Sequence, residues 1–158
     1  MTLNSSLPTS FFDTNIYQIP ENEFIIDYIK GLNKKQYLII FNCSSEEEKD
    51  LIPYLQKILS AISVQLEEDT LYLNLPDEKK ISLSHLIKIN PLNKILIFGI
   101  KPEVLSLNIQ VPTYTVFPFL EKKWLWSDSL LEIFLEKKVT NRPKAGALWT
   151  ALNELNKL

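Results

Sequence analysis

Two short runs of almost uninterrupted apolar residues constrain the fold of this chain more than any other feature. They are YLIIFN, residues 37–42, and KILIF, residues 94–98. Such runs are typical of strands that are covered on both faces, as in a parallel sheet flanked by helices. The second run continues through Gly99 into a Lys101-Pro102 turn, which brings a loop to the carboxyl edge of the sheet. In an α/β fold that edge is the usual place for a functional site.

Helical patterns alternate with these runs. Further strands are predicted at 71–75 and 112–117, and helices at 23–30, 46–62, 85–88, 127–137 and from Pro143 onward. The alternation predicts an α/β fold, a three-layer α/β/α sandwich with a central, mostly parallel sheet.

Capping residues and apolar periodicity set the predicted helix boundaries. The sequence SSEEE, residues 44–48, is a capping-box pattern for the helix predicted at 46–62. Pro53 lies inside this helix and indicates that the helix starts late or bends there. Ser82 or Ser84 is expected to cap the third helix and Ser127 the fourth. The buried stripe of the last helix is predicted to be Ala145, Leu148, Leu152 and Leu155.

The chain of 158 residues suits one α/β domain, residues 23–158, preceded by an irregular arm, residues 1–22. The arm is rich in Ser, Thr, Asn and Pro, yet it carries several large apolar side chains. They are Phe11, Phe12, Ile16, Tyr17 and Ile19. Two interpretations stay open: the arm packs on its own domain, or these residues bind a partner protein.

Composition argues against several classes of function. A net charge of −2 provides no basic excess, so strong direct nucleic-acid binding is not expected. The single cysteine, Cys43, rules out an internal disulfide and fits a reducing compartment. The first residues lack a signal-peptide pattern, and no apolar run approaches the roughly 18 residues of a membrane span. A cytoplasmic protein without a membrane partner is therefore predicted.

No catalytic, cofactor-binding or metal-binding residue is predicted. A nucleophilic pair of Cys43 with His85, the only histidine, is conceivable, but a structural cysteine and an exposed histidine are favoured. One His and one Cys cannot supply a zinc ligand set. The three glycines are too scattered to form a phosphate-binding loop, so no cofactor is expected.

Three tryptophans, Trp124, Trp126 and Trp149, could stack on nucleic-acid bases or fill the core, and the core is favoured. Trp149 lies next to the apolar stripe of the last helix and is expected to cover the seam between helix and sheet. Its truncation to Ala would then cost about 3–5 kcal/mol of stability.

Four stretches carry a family resemblance. They are YLQKILSAISVQLEEDTLYLNL (54–75), KILIFGIKPEVLSL (94–107), SDSLLEIFLEKK (127–138) and KAGALWTALNEL (144–155). Together they resemble the psi-type subunit of bacterial DNA polymerase III holoenzyme, in a divergent form. The resemblance implies a fold similar to that of uracil-DNA glycosylases.

The resemblance also implies a function. Active glycosylases carry a His where this chain has Lys101, and a water-activating Asp or Asn beside Pro where it has Asn42 followed by Cys43. These departures imply a non-catalytic adaptor. In psi proteins a flexible amino-terminal stretch binds the clamp-loader core and the folded domain binds the chi subunit, so the partners implied are clamp-loader subunits and a chi-like subunit. The alternatives are a glycosylase-like enzyme or DNA-binding relative, and an α/β interaction domain outside replication.

Overall fold

The computed structural model describes residues 28–76, 79–136 and 143–157. The described elements are, in chain order, β1 Tyr37–Phe41, α1 Ser45–Ser60, α2 Leu66–Asp69, β2 Thr70–Asn74, α3 Leu83–Ile89, β3 Lys94–Phe98, a 3-10 turn Pro102–Leu105, β4 Phe117–Phe119, β5 Lys122–Ser127, α4 Leu130–Leu135 and α5 Pro143–Asn156.

The five strands form one mixed sheet in the order β2-β1-β3-β5-β4. β1 pairs in parallel with β2 and β3, β3 pairs in parallel with β5, and β4 is antiparallel to β5. From β1 the chain moves outward to β2 and then returns across β1 to β3. The direction of winding therefore reverses between β1 and β3, which is where ligands bind in open α/β sheets.

Helices pack against both faces of this sheet. In β1, Tyr37, Ile39 and Phe41 join the core beneath α1, α4 and α5, while Leu38 and Ile40 join the core beneath α3 and the 3-10 turn. All five residues of β1 are buried. The predicted α/β class, the mostly parallel sheet and the two strands covered on both faces are thereby confirmed.

The capping box before α1 is also confirmed. The Glu47 N–H donates to Ser44 Oγ at 3.2 Å, and the Ser44 N–H donates to the Glu47 carboxylate at 2.8 Å. The late start suggested by Pro53 is wrong, because α1 begins at Ser45 and continues through the proline, whose side chain is exposed. Ser82 caps α3, as one of the two predicted alternatives had it.

The strand predicted at 112–117 is wrong. Within that segment Thr113 makes an isolated bridge, to Trp126, and only Phe117 belongs to a strand, as the first residue of β4. β5 escaped prediction because the hairpin turn before it is Leu120-Glu121, with φ of 53° and 62°. A two-residue hairpin turn with two positive φ angles normally carries Asn-Gly or Asp-Gly, and this one offers no such signal.

The predicted cap of the fourth helix is displaced by two residues. Ser127 ends β5, where its carbonyl accepts the Gly99 N–H at 2.9 Å. Ser129 caps α4 instead, because its Oγ accepts the Glu132 N–H at 3.1 Å. Ser127 still pairs with β3 as the last residue of β5, so the helix begins only after it.

The last three residues of the helix predicted at 23–30, residues 28–30, are not helical. Lys30 forms an antiparallel bridge with Tyr72, with N–H to O distances of 3.0 and 2.9 Å. The rest of that segment, and the arm with its five apolar residues Phe11, Phe12, Ile16, Tyr17 and Ile19, lie outside the described residues.

Gly99→Ala should destabilise the protein strongly. The φ of Gly99 is +65°, and an added Cβ would lie 2.6 Å from Ser129 Cα. Left-handed backbone alone costs an Ala about 1–2 kcal/mol, and the contact adds to it. We expect a melting temperature lower by at least about 4 °C in thermal denaturation.

Gly146→Ala is the matched control, since a Cβ at this exposed position of α5 meets nothing within 4 Å. Helix propensity should raise stability by about 0.5–1 kcal/mol there. A Gly99→Ala protein that melts at or above the parent temperature would contradict the described geometry.

Candidate functional site

Two adjoining depressions lie where the carboxyl ends of β1, β2 and β3 meet. The smaller, the switch-point crevice, has a volume of about 270 Å³ and is lined by Asn42, Leu75, Pro76, Lys79, Lys80, Gly99, Ile100, Lys101 and Val104. The larger, the wide cleft, has a volume of about 500 Å³ and is lined by Tyr28, Lys30, Phe41, Asn42, Cys43, Ser44, Ser45, Glu48, Ile52, Glu67, Tyr72, Asn74 and Pro76. They share Asn42 and Pro76.

The loop after β3 lines the switch-point crevice, and hydrogen bonds hold its backbone in place. The indole N–H of Trp126 donates to the Ile100 carbonyl at 2.6 Å. The Val104 N–H donates to the Lys101 carbonyl at 3.0 Å and so closes the 3-10 turn. The backbone that carries Lys101 is therefore fixed, while the Lys101 side chain is exposed.

A second segment is tied to the same loop. The Ile81 N–H donates to the Val104 carbonyl at 3.0 Å, and Ser106 Oγ donates to the Ile81 carbonyl at 2.8 Å. These bonds place Lys79 and Lys80 beside the loop that carries Lys101. No local sequence signal indicates that these residues are close, because 21 positions separate Lys80 from Lys101.

Asn42 stands between the two depressions. Its side-chain amide donates to the Leu75 carbonyl at 2.5 Å, which links the ends of β1 and β2. The structure thus brings Asn42 and Lys101, the two positions compared with glycosylase residues, to one crevice.

A hydrogen-bond network centred on Asn74 forms the floor of the wide cleft. Asn74 Oδ1 accepts the Cys43 N–H at 2.9 Å, and Asn74 Nδ2 donates to Glu48 Oε1 at 2.7 Å and to the Cys43 carbonyl at 3.0 Å. Sequence reasoning missed Asn74; its one signal was a polar residue directly after the apolar stretch of β2.

Acidic and hydroxyl groups line another wall of the wide cleft. The Tyr72 hydroxyl donates to Glu67 Oε1. Burial, that hydrogen bond and the nearby Glu67 and Glu48 charges raise the pKa of Tyr72. At neutral pH this wall therefore presents a neutral phenol next to carboxylates.

Cys43 and His85 are not brought together. Cys43 packs against the core beneath α1, whereas His85 is exposed on α3, which covers the opposite face. Burial, followed by the charges of Glu48 and Glu47, raises the pKa of the Cys43 thiol to about 11. The thiol is protonated at neutral pH, which does not suit a nucleophile.

The described part of the chain shows no group of three or more His, Cys, Asp and Glu side chains placed to hold a metal ion. Within the same ranges, no helix has the length and apolar character needed to cross a membrane.

The tryptophans divide into two groups. Trp124 and Trp126 are buried, with parallel rings 5.7 Å apart, which confirms their prediction as core residues. Trp149 is 48% exposed, so the predicted seam position is wrong. Each residue advances a helix by about 100°, which turns Trp149 out of the buried stripe formed by Leu148, Ala151, Leu152 and Leu155.

Trp149 instead stands at the side of a narrow depression, the α1–α5 groove. Its volume is about 110 Å³, and its lining is Tyr54, Ile58, Ala61, Ala145, Leu148, Trp149 and Leu152. No charged side chain is among these residues.

No protein-family model matches the chain, and no curated protein matches it.

The reactivity of Cys43 should reflect its raised pKa. With a pKa near 11 in place of 9.0, the thiolate fraction at pH 7 falls about 100-fold. Alkylation by iodoacetamide, measured as rate against pH, should therefore rise up to about pH 11 in the native protein. Glu48→Gln should lower this apparent pKa, and Asp50→Asn, on the same helix, should leave it in place. An apparent pKa below 8 in the native protein would contradict the geometry.

Proposed function

We propose that this chain is a non-catalytic adaptor subunit of a bacterial replicative DNA polymerase and clamp-loader assembly, similar to the psi-type subunit, and that it acts in the cytoplasm through protein–protein contacts. The fold proposed with it is a three-layer α/β/α sandwich similar to uracil-DNA glycosylases, which the helices on both faces of the sheet support. The observation that carries the proposal is the exposure of Trp149 beside the α1–α5 groove.

Trp149 has the properties of an interface anchor. It lies on α5, within the stretch 144–155 that resembles the last helix of psi-type subunits, and about half of its large side chain is exposed to solvent. Tryptophan is enriched among the few residues that dominate binding energy at protein interfaces. An exposed tryptophan next to an apolar groove therefore supports a protein contact more than a nucleic-acid contact, which needs cations along the groove.

The α1–α5 groove is built from supported side chains. The Tyr54 ring packs edge-on against Phe134, with centroids 5.2 Å apart, and Leu148 and Leu152 belong to the buried core. A partner side chain that enters the groove would meet walls that are already ordered, and little entropy is then lost on binding.

The carboxyl edge of the sheet supports an adaptor more than a glycosylase. Lys101 stands where the resemblance expects His. The amide of Asn42 is held by the Leu75 carbonyl. Base excision needs a group that activates water and a group that stabilises developing charge, and these two positions supply neither in the expected form.

The proposal assigns two contacts. The arm with Phe11, Phe12, Ile16, Tyr17 and Ile19 binds the clamp-loader core, and the surface around Trp149 binds a chi-like subunit. The described chain begins at Tyr28, a half-exposed residue of the wide cleft.

Trp149→Ala should remove the chi-like partner with little loss of stability. Half-burial of an aromatic ring is worth about 1 kcal/mol, offset in part by the higher helix propensity of Ala. Affinity purification of the tagged full chain from its native cells, with identification of the retained proteins, measures the loss of the partner, and thermal denaturation measures stability.

Ile89→Ala is the matched control, because Ile89 is an exposed apolar residue on α3, on the opposite side of the sheet. It should retain every partner. If Trp149→Ala retains them too, the assignment of the interface is overturned.

The double change Phe11→Ala with Phe12→Ala should abolish binding of the clamp-loader core and leave the melting temperature nearly unchanged. An arm that orders on a partner depends on a few large anchors. Pull-down of clamp-loader subunits checks this, and Trp149→Ala should keep that interaction. A melting temperature lower by several degrees with binding retained would show instead that the arm packs on its own domain.

A further inference from the structure

We propose that the switch-point crevice binds the phosphate group of a small phosphorylated molecule. This goes beyond the adaptor function and involves a different part of the fold. The crevice lies between the carboxyl ends of β1 and β3, where the winding direction reverses.

The described lining of the crevice is positively charged. It includes Lys79, Lys80 and Lys101 and no carboxylate, although the whole chain has a net charge of −2. Asp77 and Glu78 lie outside the described residues. Lysine side chains that line one small depression favour an anion, and an anion with two negative charges is attracted more strongly than one carboxylate.

Lys80 and Lys101 have no ionic partner among the described residues, whereas Lys34, Lys35, Lys144 and Lys157 all have one. Lysine is a common phosphate ligand because its ammonium group donates three hydrogen bonds without a fixed geometry.

The frame around these lysines is fixed before any ligand arrives. Trp126 holds the Ile100 carbonyl, Ser106 holds the Ile81 carbonyl, and Gly99 adopts a positive φ that places the loop. Asn42 also lines the crevice, and the Leu75 carbonyl holds its side-chain amide. No glycine-rich loop is required, because two segments distant in sequence supply the cations.

The dimensions and surroundings favour a small ligand over a nucleic acid. A volume of about 270 Å³ is at the lower limit of small-molecule sites. The described lining of the adjoining wide cleft carries two carboxylates, Glu48 and Glu67, against one lysine, Lys30, and so disfavours a phosphate backbone that extended past Asn42. The apolar part of a small phosphorylated molecule would instead contact Leu75, Ile100 and Val104.

The test is a titration of the ¹⁵N-labelled full chain with glycerol 3-phosphate, and separately with inorganic phosphate, at constant ionic strength. Saturable amide shifts should centre on Asn42, Ile100 and Lys101. In Lys80→Gln with Lys101→Gln, the dissociation constant should rise at least about tenfold, the effect expected for lost charge-assisted hydrogen bonds.

Lys34→Gln with Lys157→Gln removes the same charge elsewhere and should change the dissociation constant less than about twofold, since exposed charges at a distance are screened. Absence of saturable shifts in the parent, or equal weakening in both double variants, overturns the proposal. A 5′-phosphorylated thymidine octanucleotide should bind no more tightly than glycerol 3-phosphate. Tighter binding of the octanucleotide would overturn the assignment to a small molecule.

Discussion

β1 and β3 pair in parallel through four residue pairs, from Tyr37 with Lys94 to Ile40 with Ile97, and the apolar residues of both strands are buried on both sides. Because each strand contributes to both cores, this pairing fixes the positions of the helices on the two faces. Each strand also ends in a polar segment, Asn42 after β1 and Lys101 two residues beyond Gly99. The winding of the chain reverses between them, and the switch-point crevice lies at this reversal. The position of the crevice is therefore a consequence of the pairing.

The aromatic group on β4 and β5 connects the core with that edge. Trp124 and Trp126 stack on each other, and Phe117 stacks on Trp126 at 6.3 Å. Both indole N–H groups are satisfied by backbone carbonyls, Trp124 by Phe119 at 2.7 Å and Trp126 by Ile100 at 2.6 Å. The first bond fixes the short antiparallel hairpin, and the second fixes the loop after β3. Large buried rings with one polar atom can join packing to loop geometry in this way.

The sequence predicted those parts of the fold that depend on local chemistry. The boundaries of β3 and the Ser44 capping box follow from apolar runs and caps, and both are observed. Periodicity also predicted the stripe of α5, of which Leu148, Leu152 and Leu155 are buried, while Ala145 is only partly buried. The β4–β5 hairpin was missed because its turn uses Leu120 and Glu121 at positive φ, which nothing local demands. The predicted position of Trp149 was wrong because a residue next to a buried stripe in the sequence can point either towards the core or towards solvent. At the candidate site, Asn42 and Lys101 were found as strand-end residues, but the approach of Lys80 to Lys101 depends on tertiary hydrogen bonds to Val104 and Ile81.

The two proposed surfaces are joined through β5, and the character of β5 indicates that they act independently. Leu125 faces the core beneath α5, while the next residue, Trp126, supports the loop of the switch-point crevice. A signal between the α1–α5 groove and the crevice would have to displace one of these side chains. Both are buried, and β5 is paired on its two edges, with β3 and with β4. Coupling between sites requires an element with two alternative arrangements, and a paired strand with close packing on both faces offers only one. If both proposals hold, a ligand in the crevice is therefore expected to leave partner binding at Trp149 unchanged.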